Sequence, residues 1–316
     1  MFPSTRRQFL LSTSSVGLGM STCSALQSAA ATVTKGNVTL SFGTYGMQAL
    51  KLEEAIRVLG EIGYDGVEVI VRPSSDATPA NMSAARRQQV RTQLDAHGLR
   101  LTALMENLHP SEDETTHRAG LERLKQAAAL GHDLAPATQP LIQTVLGGRK
   151  WEQAKPLFLQ RLADWVELAE KQDALIAIKP HRGGGMSRPE EAVWLIQQLG
   201  QTPRLRMVYD YSHYAFRDMT LAATVATSLK YTAHVAVKDT IQKGAGTTFV
   251  LPGESGNLDY DALLTMFYRG GYRGDFCCEV SSAVWKQPGY DPAVAAETCY
   301  RNMATAFTRQ RIPRPT

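Results

Sequence analysis

Four short apolar runs in this 316-residue chain each end in ionisable side chains. IAIKPH supplies Lys179 and His181, MVYDYSH supplies Asp210 and His213, AHVAVKD supplies His234, Lys238 and Asp239, and FCCEVSS supplies Glu279. Carboxylates and imidazoles so placed move protons or hold a divalent ion, and lysines among them bind or stabilise negative charge. Strand-like runs that end this way are what a parallel barrel with its active site at the strand ends leaves in a sequence. The pattern points to an enzyme and away from a scaffold.

The elements that must position these groups recur along the chain. VTLSFGTY (38–45) is rich in β-branched and aromatic residues, and KLEEAIRVLGEIG sets Ala55, Ile56, Leu59 and Ile62 on one helical face, with Gly63 as its stop. Further strands are predicted at 67–71, 99–105, 140–146, 174–179, 205–210, 231–238 and 274–280. Helices are predicted between them, around 84–97, 117–130 and 152–171, with a capping box of Ser187 and Glu190 opening another that runs to Gly200. Eight strand–helix alternations without a compositional break predict an α/β fold, a single-domain (β/α)8 barrel. The alternative is a doubly wound open sheet, but no glycine-rich phosphate fingerprint follows the first strand.

The first thirty residues differ from the rest. Arg6 and Arg7 are their only charges, and an apolar, Ser/Gly-rich run from Phe9 closes on Ser28-Ala29-Ala30. Residues 1–30 therefore read as a twin-arginine export signal, with residues 31–316 as the barrel and a periplasmic location expected. Lipid anchoring at Cys23 ranks second, because Met20-Ser21-Thr22 is a poor lipobox. The run is too short for a membrane span of ~20 apolar residues. Of the 34 basic side chains the signal holds two, and it holds none of the 30 acidic ones, so most of the apparent basicity leaves with it. Nothing in the charge pattern argues for nucleic acid. Cys277, Cys278 and Cys299 show neither a disulfide framework nor a zinc motif and read as buried thiols.

GTYGMQALKLEEAIRVLGEIGYDGVEV resembles the opening of the xylose isomerase-like TIM-barrel family, the sugar phosphate isomerase/epimerase group that also includes endonuclease IV. DYSH, AVKD, PGES and CEVSS resemble that family's later strand ends in order, so the similarity covers residues 38–306. The resemblance implies a divalent metal such as manganese or zinc, held by two carboxylates, an aspartate and a histidine at strand ends five to eight. Asp210 and Glu279 match the sixth- and eighth-strand ligands, and His213 matches the histidine that contacts substrate beside them. Lys179 stands where the fifth strand usually ends in glutamate, and Ala236 stands where the seventh usually carries histidine. An ammonium donates hydrogen bonds and cannot coordinate while protonated. His234 has the strand parity of Ala236 but lies about 6 to 7 Å deeper, so it ligates with Asp210 and Glu279 only if the metal or the register shifts.

Each candidate has a structural alternative. Asp210 and Glu279 are ligands or catalytic groups, or partners of Lys179 and Lys238 in a buried ion network. Lys179 is a general acid or base whose pKa is lowered by burial and by Lys238, a fixed charge for substrate, or a salt-bridge partner. His181, Lys238 and Arg182 are expected to contact substrate, with Gly183-Gly184-Gly185 as a backbone nest for an oxyanion or simply a flexible loop. Glu254 in PGES and Glu106 at the third strand end are further substrate contacts or ordinary acids, Glu68 and Glu106 having Arg72 or another cation as alternative partners. Trp285 is the tryptophan best placed to stack on a sugar ring.

The expected function is an exported isomerase or epimerase that abstracts a proton next to a carbonyl or metal-bound hydroxyl of an unphosphorylated carbohydrate. Lys179, His213 and Glu279 would carry the chemistry. The alternatives are a lyase acting on an oxidised (keto) glycoside, and a non-catalytic sugar-binding barrel that has lost its metal site. A nuclease of the endonuclease IV kind would need a histidine-rich multi-zinc site, and the chain has 7 histidines, few at strand ends.

Overall fold

Residues 38–244 and 246–315 are described by the computed structural model. The first thirty residues, and with them the export signal and Cys23, lie outside the described residues. Eight parallel strands close into a barrel: β1 (Thr39–Gly43), β2 (Gly66–Ile70), β3 (Arg100–Met105), β4 (Leu141–Thr144), β5 (Leu175–Ile178), β6 (Leu205–Tyr209), β7 (Thr232–Val237) and β10 (Asp275–Cys278). Closure comes from β1, which pairs with β2 on one side (Phe42 opposite Val67) and β10 on the other (Phe42 opposite Cys278). The open-sheet alternative is thereby excluded.

The two faces of each strand do different work. Outward-facing Leu40, Phe42, Val67, Leu104, Ile176, Met207, Val235 and Phe276 are buried against the surrounding helices, each contributing about 1.5 to 3 kcal/mol of hydrophobic stabilisation. Inward-facing Ala177, Val208 and Ala236 form a separate small-residue cluster inside the barrel. Because side chains alternate with period two, the residues two positions further on, Lys179, Asp210 and Lys238, face the same interior at the strands' C-terminal mouth. Cys277 and Glu279 stand in the same relation on and just after β10.

The helices follow the predicted spacing with two adjustments. In α1 (Leu52–Ile62) Ala55, Ile56 and Leu59 are buried, and Gly63 at φ +100° ends the helix by donating its N–H to Leu59. Helix α2 (Ala84–Ala96) follows, and α3 (Glu114–Leu134) begins earlier than apolar spacing suggests because Asp113 caps it, accepting from the Thr116 N–H at 2.7 Å. Helix α4 spans Trp151–Lys171 and α5 Pro189–Gln198. The expected Ser187–Glu190 box is shifted by one residue: Pro189 takes the first helical position, and Glu191 accepts from the N–H groups of Ser187 and Arg188. Helices α6 (Leu221–Ser228), α7 (Tyr260–Arg269), α8 (Ser282–Trp285) and α9 (Pro292–Arg309) complete the ring.

One element was absent from the sequence expectation. Between β7 and α7 an antiparallel hairpin, β8 (Asp239–Lys243) and β9 (Gly246–Val250), projects from the barrel mouth. Its signal was present in the β-branched residues Thr240, Ile241, Thr247 and Thr248, which flank Gly244 and Gly246 in the sequence.

Candidate active site

Four charges from four neighbouring strands meet at the mouth. Glu279 accepts a hydrogen bond from Lys179 on Oε2 and another from Lys238 on Oε1 at 2.8 Å. Asp210 Oδ2 lies 3.2 Å from the Lys238 Nζ and 3.9 Å from that of Lys179. All four side chains are buried. Asp210 is held in place through Oδ1, which accepts from the Ser212 hydroxyl at 2.5 Å and its N–H at 3.1 Å. Two carboxylates and two ammoniums balance, which is how a barrel interior tolerates them.

Two histidines pack against this cluster, with ring centroids 4.0 Å apart and ring planes tilted by 52°. His213 is fully buried, and its Nε2 accepts from Lys238 at 3.1 Å and lies 3.3 Å from Asp210 Oδ2. His181 is half-buried, and its Nδ1 accepts from the Gly183 N–H at 3.2 Å. The hairpin closes over them: Phe249 of β9 sits 4.8 Å from the Lys238 ammonium and 5.7 Å from the His213 ring.

The electrostatics reverse one expectation. Burial alone would lower the Lys179 pKa, as the sequence suggested, but Glu279, Asp210 and Glu68 outweigh it and the pKa is raised. Lys179 is thus held as an ammonium, which removes it as a general base or Schiff-base nucleophile. Burial would raise Glu279, but Lys179 and Lys238 pull it down to about 2. Burial and the same two lysines lower His181 to about 4, and burial with Lys238 and His181 drives His213 well below the usual imidazole range. Both rings are neutral at pH 7.

A stability dependence on pH follows. As pH falls from about 6.5 towards 4, the unfolded chain protonates a histidine that the folded chain keeps neutral, so the stabilisation present above 6.5 is lost. Denaturant unfolding at pH 7 and pH 4.5 should show a smaller acid loss for His181→Asn than for the wild type. The comparison isolates His181 from Asp275, which burial raises to about 6 and whose contribution has the opposite sign, being lost as pH rises through 6.

Other predicted site residues are placed elsewhere. Arg182 hydrogen-bonds Thr247 of the hairpin and the carbonyls of Ser212 and Ala215, at 2.6 and 2.9 Å, so it straps the hairpin to the β6 loop. The glycines after it form no nest, since Gly184 and Gly185 donate to the carbonyls of His181 and Gly147. Glu254 is exposed and closes its own turn by accepting from the Leu251 N–H. Glu106 is buried in an ion pair with Arg123 of α3. His234 does not join Asp210 and Glu279: it sits deeper, 3.3 Å from Glu68 and 3.7 Å from Asp275, because its position on β7 is two pleats below Lys238. Asp239 binds Ser255 through its N–H and hydroxyl and shapes the PGES turn.

Trp285 lies in α8, which packs beside β9, and meets Tyr45 edge-on at 5.6 Å. The Arg72 guanidinium lies over the Tyr45 ring at 5.0 Å. The Trp285 indole N–H and Arg72 Nε have no hydrogen-bond partner, leaving donors at the rim. Sequence reasoning missed Tyr45 and Phe249: Tyr45 closes the run 38–45, where an aromatic residue defaults to core, and Phe249 lies in the hairpin that was not predicted.

The mouth does not fit a divalent ion. Both Glu279 oxygens are taken by ammoniums, Asp210 Oδ1 is taken by Ser212, and Lys179 and Ala236 offer no ligand atom to an ion. A dication placed between the carboxylates would also sit within a few ångströms of two positive charges whose balance is already complete.

Comparison with known proteins agrees with the architecture. The putative hydroxypyruvate isomerase of Mus musculus is 29% identical over 94 residues, which is 30% of this chain and 31% of that protein, so the match spans about a third of the relative's length. The apo crystal structure of 3-keto-D-glucoside 4-epimerase from E. coli superposes with a TM-score of 0.65 at 15% identity, covering 85% of this chain and 99% of the other. The IolI protein with a bound zinc atom gives a TM-score of 0.72 at 17% identity, covering 86% and 99%. At such identities the two structures establish the fold. The family described as xylose isomerase-like TIM barrel matches residues 56–303, and to that family this chain belongs.

Proposed function

We propose that this chain is an isomerase or epimerase that moves a proton next to a carbonyl already present in an unphosphorylated carbohydrate. The observation that carries the reading is the pair of ammoniums, interleaved with Asp210 and Glu279 beside two neutral histidines whose rings are in contact. Ammoniums stabilise an enediolate oxygen by charge and hydrogen bonding. They polarise a hydroxyl-bearing carbon poorly, so a ketone or aldehyde is the fitting substrate. The E. coli neighbour named for a 3-keto-glucoside, and the mouse relative named for hydroxypyruvate, both act on compounds of this chemical kind by name. The spent backbone N–H groups beside Arg182 favour a substrate without phosphate.

The base is His213. In the resting site its Nε2 lone pair is occupied by Lys238. An ammonium has three donors, and a substrate oxygen that takes the one aimed at His213 frees that lone pair to accept the proton from the adjacent carbon. Oxyanion binding and base activation are then one event. The imidazolium so formed faces Asp210 Oδ2, which is buried and otherwise without a hydrogen-bond partner. His181, the outer ring, returns or relays the proton, and Glu279 positions both ammoniums. Phe249 must lift for substrate to enter and excludes water when it closes.

Incubation of the protein in D2O with a panel of unphosphorylated ketoses and keto-glycosides tests the reading. Deuterium incorporation next to the carbonyl, followed by NMR, is expected for at least one compound. Binding of such a compound without exchange over prolonged incubation would instead mark a sugar-binding barrel.

A further inference from the structure

Below the mouth cluster lies a second group of side chains that the proposed chemistry does not use. Glu68 of β2, His234 of β7 and Cys277 of β10 each offer one ligand atom, and these atoms lie within 4.8 Å of one another in the barrel interior. All three residues are buried to 1% exposure or less. Glu68 Oε1 and His234 Nδ1 have no hydrogen-bond partner, and His234 Nε2 has only a 3.3 Å contact with Glu68 Oε2 that is not aligned as a hydrogen bond, an arrangement that is costly in a barrel core. Gly43 opens space beside them: a Cβ there would lie 3.0 Å from Glu68 Oε1 and 3.7 Å from the Cys277 sulfur.

We propose that Glu68, His234 and Cys277 bind a transition metal ion of the zinc type, separate from the mouth. Three atoms no more than 4.8 Å apart have a common point at most about 2.8 Å from each, so shifts of under about 1 Å reach Zn–S near 2.3 Å and Zn–N or Zn–O near 2.1 Å. A thiolate, an imidazole and a carboxylate form a donor set suited to zinc, and a bound dication balances thiolate and carboxylate.

The surroundings fit the same role. Gln143 of β4 donates to Glu68 Oε2 and orients the carboxylate. His234 turns Nδ1 towards Asp275 Oδ2 at 3.7 Å, and Asp275 is fixed by hydrogen bonds from the hydroxyls of Thr39, at 2.6 Å, and Ser41. A carboxylate behind a histidine leaves Nε2 as the ligand atom and sets the ring's orientation. In the mouth, by contrast, every carboxylate is already matched by an ammonium.

Production of the full chain in cobalt-supplemented medium tests this. The expected result is about one equivalent of cobalt and a near-ultraviolet thiolate-to-cobalt charge-transfer band. Both should be lost in Cys277→Ser and in Glu68→Gln, and retained in Cys278→Ser and Asp210→Asn, with circular dichroism confirming each fold. Folded wild-type protein without cobalt, or a band that survives Cys277→Ser, would overturn the proposal and leave the triad as an ion network beside an inert thiol. Neither outcome alters the hydrogen bonds of the mouth, which Glu68 reaches only through the charge it adds near Lys179.

Discussion

Glu279→Gln should cost about 3 to 5 kcal/mol of folding stability, because it leaves two buried ammoniums facing one carboxylate. Among the described residues Glu279 alone receives a hydrogen bond from both Lys179 and Lys238, one on each oxygen. A glutamine keeps one acceptor and turns its NH2 group towards a positive charge. The remaining acid, Asp210, lies 3.2 and 3.9 Å from the two ammoniums and cannot balance both. Pairing Lys179→Met with Glu279→Leu removes one charge of each sign, leaves Lys238 beside Asp210, and should recover most of the loss, since apolar replacement of a buried pair is often neutral. Urea unfolding of the single and double variants measures this. A loss below about 1 kcal/mol for the single variant would be the behaviour of an exposed pair and would contradict the buried cluster.

The second large effect is on turnover. His213→Asn should lower the rate by about 100- to 10,000-fold, the range for removing a general base. Asparagine retains an acceptor for the Lys238 N–H, so the cluster beneath should persist, and the loss should fall on kcat more than on KM. The same substitution at His181 should act more weakly, because His181 is half-buried and solvent can replace a proton relay there. Steady-state kinetics on whichever ketose proves to be a substrate separates the two. Equal losses at both positions would reassign the base to the outer ring.

How much of this was legible in the sequence depends on whether the property is local. Strand ends and their chemistry are local: period-two alternation and turn residues placed Lys179, Asp210, Lys238 and Glu279 on one mouth, and the structure brings them together. The sign of the Lys179 shift was not legible, since it depends on Glu279, Asp210 and Glu68 together outweighing the effect of burial. Arg182 and Glu254 had the right residue types and lie in loops at the mouth, but their hydrogen bonds point to a neighbouring loop and to their own turn. The hairpin was readable and was overlooked because its strands are short and one of them follows β7 directly. Glu68, His234 and Cys277 come from three strands far apart in sequence, and only closure of the barrel makes them neighbours.

The central claim is that ammoniums, and not a divalent ion, supply the positive charge at the mouth. Its most direct test is the rate of solvent deuterium exchange into substrate before and after chelator treatment, in the wild type and in Cys277→Ser. An exchange rate that is unchanged by the chelator in both chains is the predicted result. Exchange that vanishes with the chelator, returns with added manganese in Cys277→Ser, and is lost in Asp210→Asn would show an ion working at the mouth and would contradict the account.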